Sequence, residues 1–290
     1  MARIEIAAHA GVCFGVQRAL DLAARAASDP QTAKPVRTLG PLIHNPRVVE
    51  GLAEQGVDAV PTPQDQQSGT LILRAHGVAP AVLETARAQR LNVIDATCPY
   101  VKKVHRAAEK LVREGYQLLV LGEQGHPEVE GIVGYAAGQA TVIGSASELA
   151  DLALQPRVGL VVQTTQTEEA LRAVVGELVS RVAELRVVNT ICSATHERQE
   201  SAGELAARAD VMVVVGGRNS GNTRRLAEIC TAAGTPTHHI EDAAELEGPW
   251  FEGVQLIGLT AGASTPQDQI DRVVERLHAL TDTPAGGVLF

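Results

Sequence analysis

The chain has 290 residues, 45% of them hydrophobic, and a formal charge of −9, values that fit a globular protein of one to three domains. A net acidic chain with 2% aromatic residues lacks the basic face and stacking platforms of a nucleic-acid binder. No apolar run reaches the roughly 18–20 residues of a membrane span, and Met1-Ala2-Arg3-Ile4-Glu5-Ile6 reads as a strand with no leader-type apolar stretch, so a cytoplasmic protein without nucleic-acid or membrane partners is expected.

In chain order, a strand over Ile4–Ala7 leads to Cys13, a helix over Val16–Ala27 and a strand over Val36–Leu39. The turn Gly40-Pro41 then opens onto His44-Asn45. The segment from Pro61 to Gly69 reads as a surface loop by composition. A strand over Leu71–Leu73 ends in Arg74-Ala75-His76-Gly77. The same order then recurs. Val93-Ile94 leads to Cys98-Pro99, a helix over Val101–Glu114, a strand over Gln117–Gly122, the cluster His126-Pro127-Glu128, and a strand over Val158–Val162 ending in Gln163-Thr164-Thr165. It recurs again with Val187-Val188, Cys192, a helix over Arg198–Ala209, a strand over Val211–Gly217, Asn219-Ser220-Gly221-Asn222, and a strand over Leu256–Leu259 running into Thr260-Ala261-Gly262-Ala263-Ser264. The cysteines stand 85 and 94 residues apart, close to one small α/β domain each. Strands alternating with helices indicate parallel sheets, whose ligands bind at the carboxyl ends of strands. The fold class expected is therefore α/β: three similar small domains, 14–97, 98–191 and 192–280, in a pseudo-threefold arrangement around one central cavity. The strand of residues 1–13 joins the third domain, and residues 281–290 form a loose tail.

The repeated cysteines carry the first chemical signal. Each precedes a helix, and a helix N-terminus favours thiolate, the form that ligates metals. There is no C-x-x-C pair, so a metal site would be assembled from distant segments. Three thiolates suit an iron–sulfur cluster or a zinc ion with an open position, whereas three separate buried hydrophobes are the bland alternative. Cys230 falls outside the repeat and reads as core. His44, His76 and His126 at matching strand ends form, with the glycine-rich Asn222 loop, a donor-rich wall suited to phosphate. Zinc ligation or solvated histidines, and capping of the next helix by Asn222 or Thr223, are the competing readings. Glu128 is a candidate general acid if its turn folds inward, and an exposed carboxylate otherwise. Thr164 and Thr165 either relay a proton or cap the helix that follows.

Taken together, Gly11-Val12-Cys13-Phe14-Gly15-Val16, Leu39-Gly40-Pro41-Leu42-Ile43-His44-Asn45, Arg74-Ala75-His76-Gly77, Asp95-Ala96-Thr97-Cys98-Pro99, Gly125-His126-Pro127-Glu128-Val129-Glu130-Gly131, Gln163-Thr164-Thr165, Thr190-Ile191-Cys192, Asn219-Ser220-Gly221-Asn222 and Gly262-Ala263-Ser264 resemble the 4-hydroxy-3-methylbut-2-enyl diphosphate reductase (LytB) family. The resemblance runs in order from residue 11 to about 270. It implies a three-domain α/β trefoil around a central iron–sulfur cluster. It also implies the last step of the non-mevalonate isoprenoid pathway, in which an allylic hydroxyl is removed reductively to give isopentenyl and dimethylallyl diphosphate. Carried over by position, Cys13, Cys98 and Cys192 hold one [4Fe–4S] cluster with one open iron, and Glu128 with Thr164 delivers a proton. His44, His76, His126, Thr164, Ser220, Asn222 and Ser264 bind the substrate, and His126 also joins the proton path. A ferredoxin or flavodoxin supplies electrons. Gly221 stands where the family often has a serine, so its backbone N–H replaces a hydroxyl in the expected diphosphate site. A zinc-dependent hydrolase of a phosphorylated metabolite, or an iron–sulfur sensor, are the alternative classes.

Overall fold

The computed structural model describes residues 2–281 together with Val288 and Leu289. The loose tail expected over 281–290 lies largely outside the described residues. The first run comprises β1 (Arg3–Ile6), α1 (Phe14–Ser28), β2 (Val36–Leu39), α2 (Pro46–Glu54), β3 (Val57–Val60), β4 (Thr70–Leu73), α3 (Pro80–Ala88) and β5 (Asn92–Asp95). After Cys98 come α4 (Pro99–Arg113), β6 (Gln117–Leu121), α5 (Pro127–Tyr135), β7 (Ala140–Ile143), β8 (Arg157–Val162), α6 (Glu168–Leu178) and β9 (Glu184–Val188). After Cys192 come α7 (Ser193–Ala206), β10 (Val211–Val215), α8 (Gly221–Ala232), β11 (Thr237–Ile240), β12 (Leu256–Ala261), α9 (Gln267–Thr281) and β13 (Val288–Leu289).

These strands make three all-parallel sheets with one recurring order: β3-β2-β4-β5, β7-β6-β8-β9 and β11-β10-β12-β1, the last extended by β13. The α/β class read from the sequence is thus observed, and the order shows what repeats. In two sheets the strand leading to a cysteine, β5 or β9, directly precedes it in a continuous segment. In the third that place is taken by β1, in register with β12 from Arg3↔Leu256 to Ile6↔Leu259. Each sheet also has an edge strand, β3, β7 or β11, absent from the sequence reading. These are four-residue segments such as Val-Asp-Ala-Val and Thr-His-His-Ile, too short and too polar to register as alternation.

Two compact units are present, one of Met1–Phe14, His44–Pro46 and Ser193–Phe290, the other of Gly15–Ile43 and Arg47–Cys192. In the first, β10 divides its side chains by the period of two that a strand imposes. Val211, Val213 and Val215 pack with Ile270, Val273 and Leu277 of α9, while Met212 and Val214 pack on the other face with Leu205 of α7 and with Leu226 and Cys230 of α8. Cys230 is a fully buried core thiol, as its position outside the repeat implied. In the second unit, Ala19, Ala23 and Ala26 of α1 pack with Val36 and Ile72. Val104, Ala108 and Leu111 of α4 meet Leu118 and Val120 beside Val129 and Ile132 of α5. The loop over 61–69 is better anchored than its composition suggested: Gln66 is buried and its Nε2 donates to Ser68 O at 2.8 Å and Thr70 O at 3.1 Å. Among the described residues no helix is long and apolar enough to cross a membrane.

Candidate active site

Each cysteine is delivered to the start of a helix by the same backbone bond. Cys98 N–H donates to Ala75 O at 2.9 Å, Cys192 N–H to Thr164 O at 3.1 Å and Cys13 N–H to Ala263 O at 3.2 Å. The acceptors lie in the polar clusters that close β4, β8 and β12, so each thiol is tied to the neighbouring strand end by the topology. Cys98 is the N-cap residue of α4, and Cys13 and Cys192 directly precede α1 and α7. The third helix begins at Ser193, not at Arg198 as the sequence reading had it. The three are half-buried, while Cys230 is sealed in the core, where burial raises its thiol pKa to about 11. No disulfide joins them. Each of these three sulfurs is half-buried at a helix N-terminus, where the dipole favours the thiolate form that ligates metals.

Two arginines that the sequence reading passed over brace these loops. Arg198 is 6% exposed. Its Nε and Nη2 donate to Gly11 O at 3.1 and 2.7 Å, two residues before Cys13. Arg18 on α1 donates to Thr97 O at 3.4 Å and Asp95 O at 3.3 Å, the loop before Cys98. The only signal for Arg198 was a charged residue among small ones on a helix face.

In the unit of Gly15–Ile43 and Arg47–Cys192, the Glu128 turn does fold inward. Glu128 lies in the first turn of α5 and is 2% exposed. Thr164 N–H donates to its Oε1 and Thr164 Oγ1 to its Oε2, both at 2.7 Å. Burial disfavours the charged carboxylate and raises its pKa from the usual 4.5 to about 7, against the opposing effect of the two Thr164 bonds. His126 caps α5, its Nδ1 accepting Glu128 N–H at 3.1 Å, so the neutral ring carries its proton on Nε2. The rings of His126 and His76 meet edge to face with centroids 5.7 Å apart. Thr165 pairs instead with Gln163 Nε2 at 3.1 Å, Glu130 is an exposed carboxylate 3.8 Å from Arg74, and the cap of α6 is Thr167. Thr164 is therefore committed to Glu128.

In the other unit, the first turn of α8 gathers buried polar side chains. Ser220, neither Asn222 nor Thr223, is the cap; its Oγ accepts Thr223 N–H at 3.3 Å. That places Asn222 inside the first turn, 4% exposed, with neither amide atom hydrogen-bonded among the described residues. Ser264 Oγ donates to His44 O at 3.0 Å, and Asn45 Nδ2 donates to Ser264 O at 2.8 Å and Gln269 Oε1 at 3.0 Å. The backbone crowds here: a Cβ at Gly217 would lie 2.7 Å from His44 O, and one at Gly262 2.0 Å from Thr223 Oγ1. An unsatisfied buried amide at a helix N-terminus is costly unless an anion meets it.

The LytB protein family model matches residues 4–278. The chain belongs to the LytB family. It is 49% identical to 4-hydroxy-3-methylbut-2-enyl diphosphate reductase of Pelobacter propionicus over 95% of this chain and 97% of that one. It is 46% identical to the enzyme of the same description in Aquifex aeolicus, covering 97% and 98%. A solved (E)-4-hydroxy-3-methylbut-2-enyl diphosphate reductase, described as the terminal enzyme of the non-mevalonate pathway, is 46% identical with a TM-score of 0.70, covering 96% of this chain and all of that one. The reductase structure from Plasmodium falciparum is 25% identical with a TM-score of 0.91, covering all of this chain and 92% of that one. This LytB-family chain thus resembles reductases in both units and along its whole matched length.

Proposed function

We propose that this chain removes the allylic hydroxyl of 4-hydroxy-3-methylbut-2-enyl diphosphate reductively, giving isopentenyl or dimethylallyl diphosphate in the last step of the non-mevalonate route. The balance is two electrons and two protons in, one water out. The allylic C–O bond breaks, the oxygen leaves as water with one added proton, and the allyl fragment takes the electron pair and the second proton. The observation that carries the reading is the buried Glu128–Thr164 pair. A carboxyl with a pKa near 7 is substantially protonated at neutral pH, so it can protonate a leaving hydroxyl. Thr164 orients that carboxyl through two bonds, and His126, ordered by the Glu128 N–H, holds its Nε2 proton for the same path.

Cys13, Cys98 and Cys192 would hold one [4Fe–4S] cluster per chain with one iron lacking a protein ligand; when bound it supplies Lewis acidity and passes electrons singly. Asn222, Ser220, Ser264, His44 and the Gly221 N–H bind the diphosphate at the start of α8, an arrangement supported by the unsatisfied Asn222 amide. His76 and His126 add donors, and Thr164 joins substrate binding beside Glu128. Anchoring the inert diphosphate end fixes the reacting end, which is how remote binding energy lowers a barrier. Electrons come from a ferredoxin or flavodoxin in the cytoplasm, with no nucleic-acid or membrane partner. The domains are 14–97, 98–191 and 192–280 with 1–13. The relatives cited are reductases, which leaves the zinc-hydrolase alternative without support.

Anaerobic purification tests the reading. Brown protein with about four iron and four sulfide per chain, turning over the allylic diphosphate with reduced viologen, is expected. Colourless protein with stoichiometric zinc and no such turnover overturns it.

A further inference from the structure

Helix α4 breaks the charge pattern of the chain. Its 15 residues hold five of the 25 Lys and Arg, namely Lys102, Lys103, Arg106, Lys110 and Arg113, against one acid, Glu109, in a protein of net charge −9. Its buried side carries Val101, Val104, His105, Ala108 and Leu111. Helical spacing therefore gathers Tyr100, Lys103, Arg106, Lys110 and Arg113 onto the exposed side. Lys102 is held by Asp95 at 2.5 Å and Lys110 lies 3.8 Å from Glu114. Lys103, Arg106 and Arg113 make no ion pair among the described residues, so their charge is turned to solvent. Cys98, the N-cap residue, immediately precedes the helix that carries the stripe. At about 1.5 Å of rise per residue, Lys103 and Arg106 stand roughly 7 and 12 Å along the axis from it. Pro99 and Tyr100, the latter 40% exposed, add an apolar centre beside the thiol's own loop.

We propose that this face of α4 is the docking surface for a small acidic one-electron carrier protein, with Lys103 and Arg106 as its principal cations. The proposal rests on the reading of Cys98 as a cluster ligand. Charge complementarity selects the partner. An acidic carrier is repelled by the chain as a whole, and a localised basic stripe reverses the field where encounter is productive. Pairing carboxylates with Lys103 and Arg106 sets the carrier against Tyr100 and the Cys98 end of the helix. A second copy of this acidic chain is the competing occupant.

The test is anaerobic titration calorimetry of the holo-protein with an acidic flavodoxin, for the native chain, Lys103→Glu/Arg106→Glu, and a control reversal of Arg172 on α6. The expected result is a Kd weakened by roughly tenfold or more in the double variant, a steep salt dependence that the double variant loses, and no change in the Arg172 variant. Turnover driven by reduced methyl viologen should be the same in all three. An unmoved flavodoxin Kd with normal viologen turnover overturns the docking face alone. So does concentration-dependent dimerisation of the native chain that the double reversal abolishes. Absence of viologen turnover in the native chain brings down the reading of the site, and the docking face with it.

Discussion

Replacing Glu128 by Gln separates the chemical role of this carboxyl from its structural cost. Glutamine keeps the shape and both contacts: Oε1 still accepts the Thr164 N–H, and the Thr164 hydroxyl turns from donor to acceptor of Nε2. The buried acid titrates near 7 in place of its usual 4.5. Below pH 4.5 the folded and unfolded chains both carry the proton, and the carboxyl affects stability little. Between 4.5 and about 7 the unfolded chain ionises while the folded one does not, so native stability falls as pH rises, and above about 7 the loss is complete. That interval spans ~2.5 on the pH scale at about 1.36 kcal/mol each, a loss of about 3 kcal/mol. Glu128→Gln lacks this loss. It should match the native chain near pH 4 and exceed it in thermal stability by several degrees at pH 8, while turnover drops by about 10²-fold or more. Native turnover should itself decline above about pH 7, as the acid form is lost. Differential scanning calorimetry across pH and viologen-driven turnover read both. Parallel stability–pH curves for the two proteins, or near-native turnover in the variant, would refute the buried-acid argument.

Three further outcomes follow from the same geometry. Asn222→Leu should leave stability unchanged or raise it by up to about 1–3 kcal/mol, because it deletes an unsatisfied buried amide. It should also raise the KM for the diphosphate substrate; a destabilised variant with native KM contradicts the anion site. Gly131→Ala puts a Cβ 2.9 Å from Nε2 of His105, which is 3% exposed and stacked on Tyr135. It should cost about 1–3 kcal/mol by overpacking, and His105→Ala should recover part of that in the double variant; strictly additive losses in thermal melts would show that the two do not meet. Cys98→Ser or Cys192→Ser should lose iron, whereas Cys230→Ala should keep it at reduced stability; iron content by colorimetry decides, and an unchanged value in Cys98→Ser removes that ligand.

Much of the site was legible because its residues are chemically marked and recur at fixed offsets. A cysteine, a polar cluster about 30 residues on and a second cluster past the next long strand reappear three times, and the Cys98, Thr164 and His126 segments fall at helix starts and strand ends as read. The cap of α8 was misread: Ser220, Asn222 and Thr223 all have capping side chains, and only the backbone's actual turn selects Ser220. His105 carried no signal. Its meaning lies in Gly77 and Gly131, where a Cβ would come within 2.6 and 2.9 Å of its ring, and those contacts join segments far apart in the chain.

The sequence by itself determined the α/β class, the repeat and which residues are candidates for the reactive groups, because periodicity, helix-start chemistry and residue type are local properties. The tertiary structure decided what those groups can do. Pairing of β1 with β12 across some 250 residues completes the third sheet, and no local pattern encodes a register between such distant segments. Glu128 becomes an acid near neutrality only because the fold buries it, strongly enough to outweigh the two Thr164 bonds that favour its charged form, and desolvation depends on neighbours that the chain brings in from elsewhere.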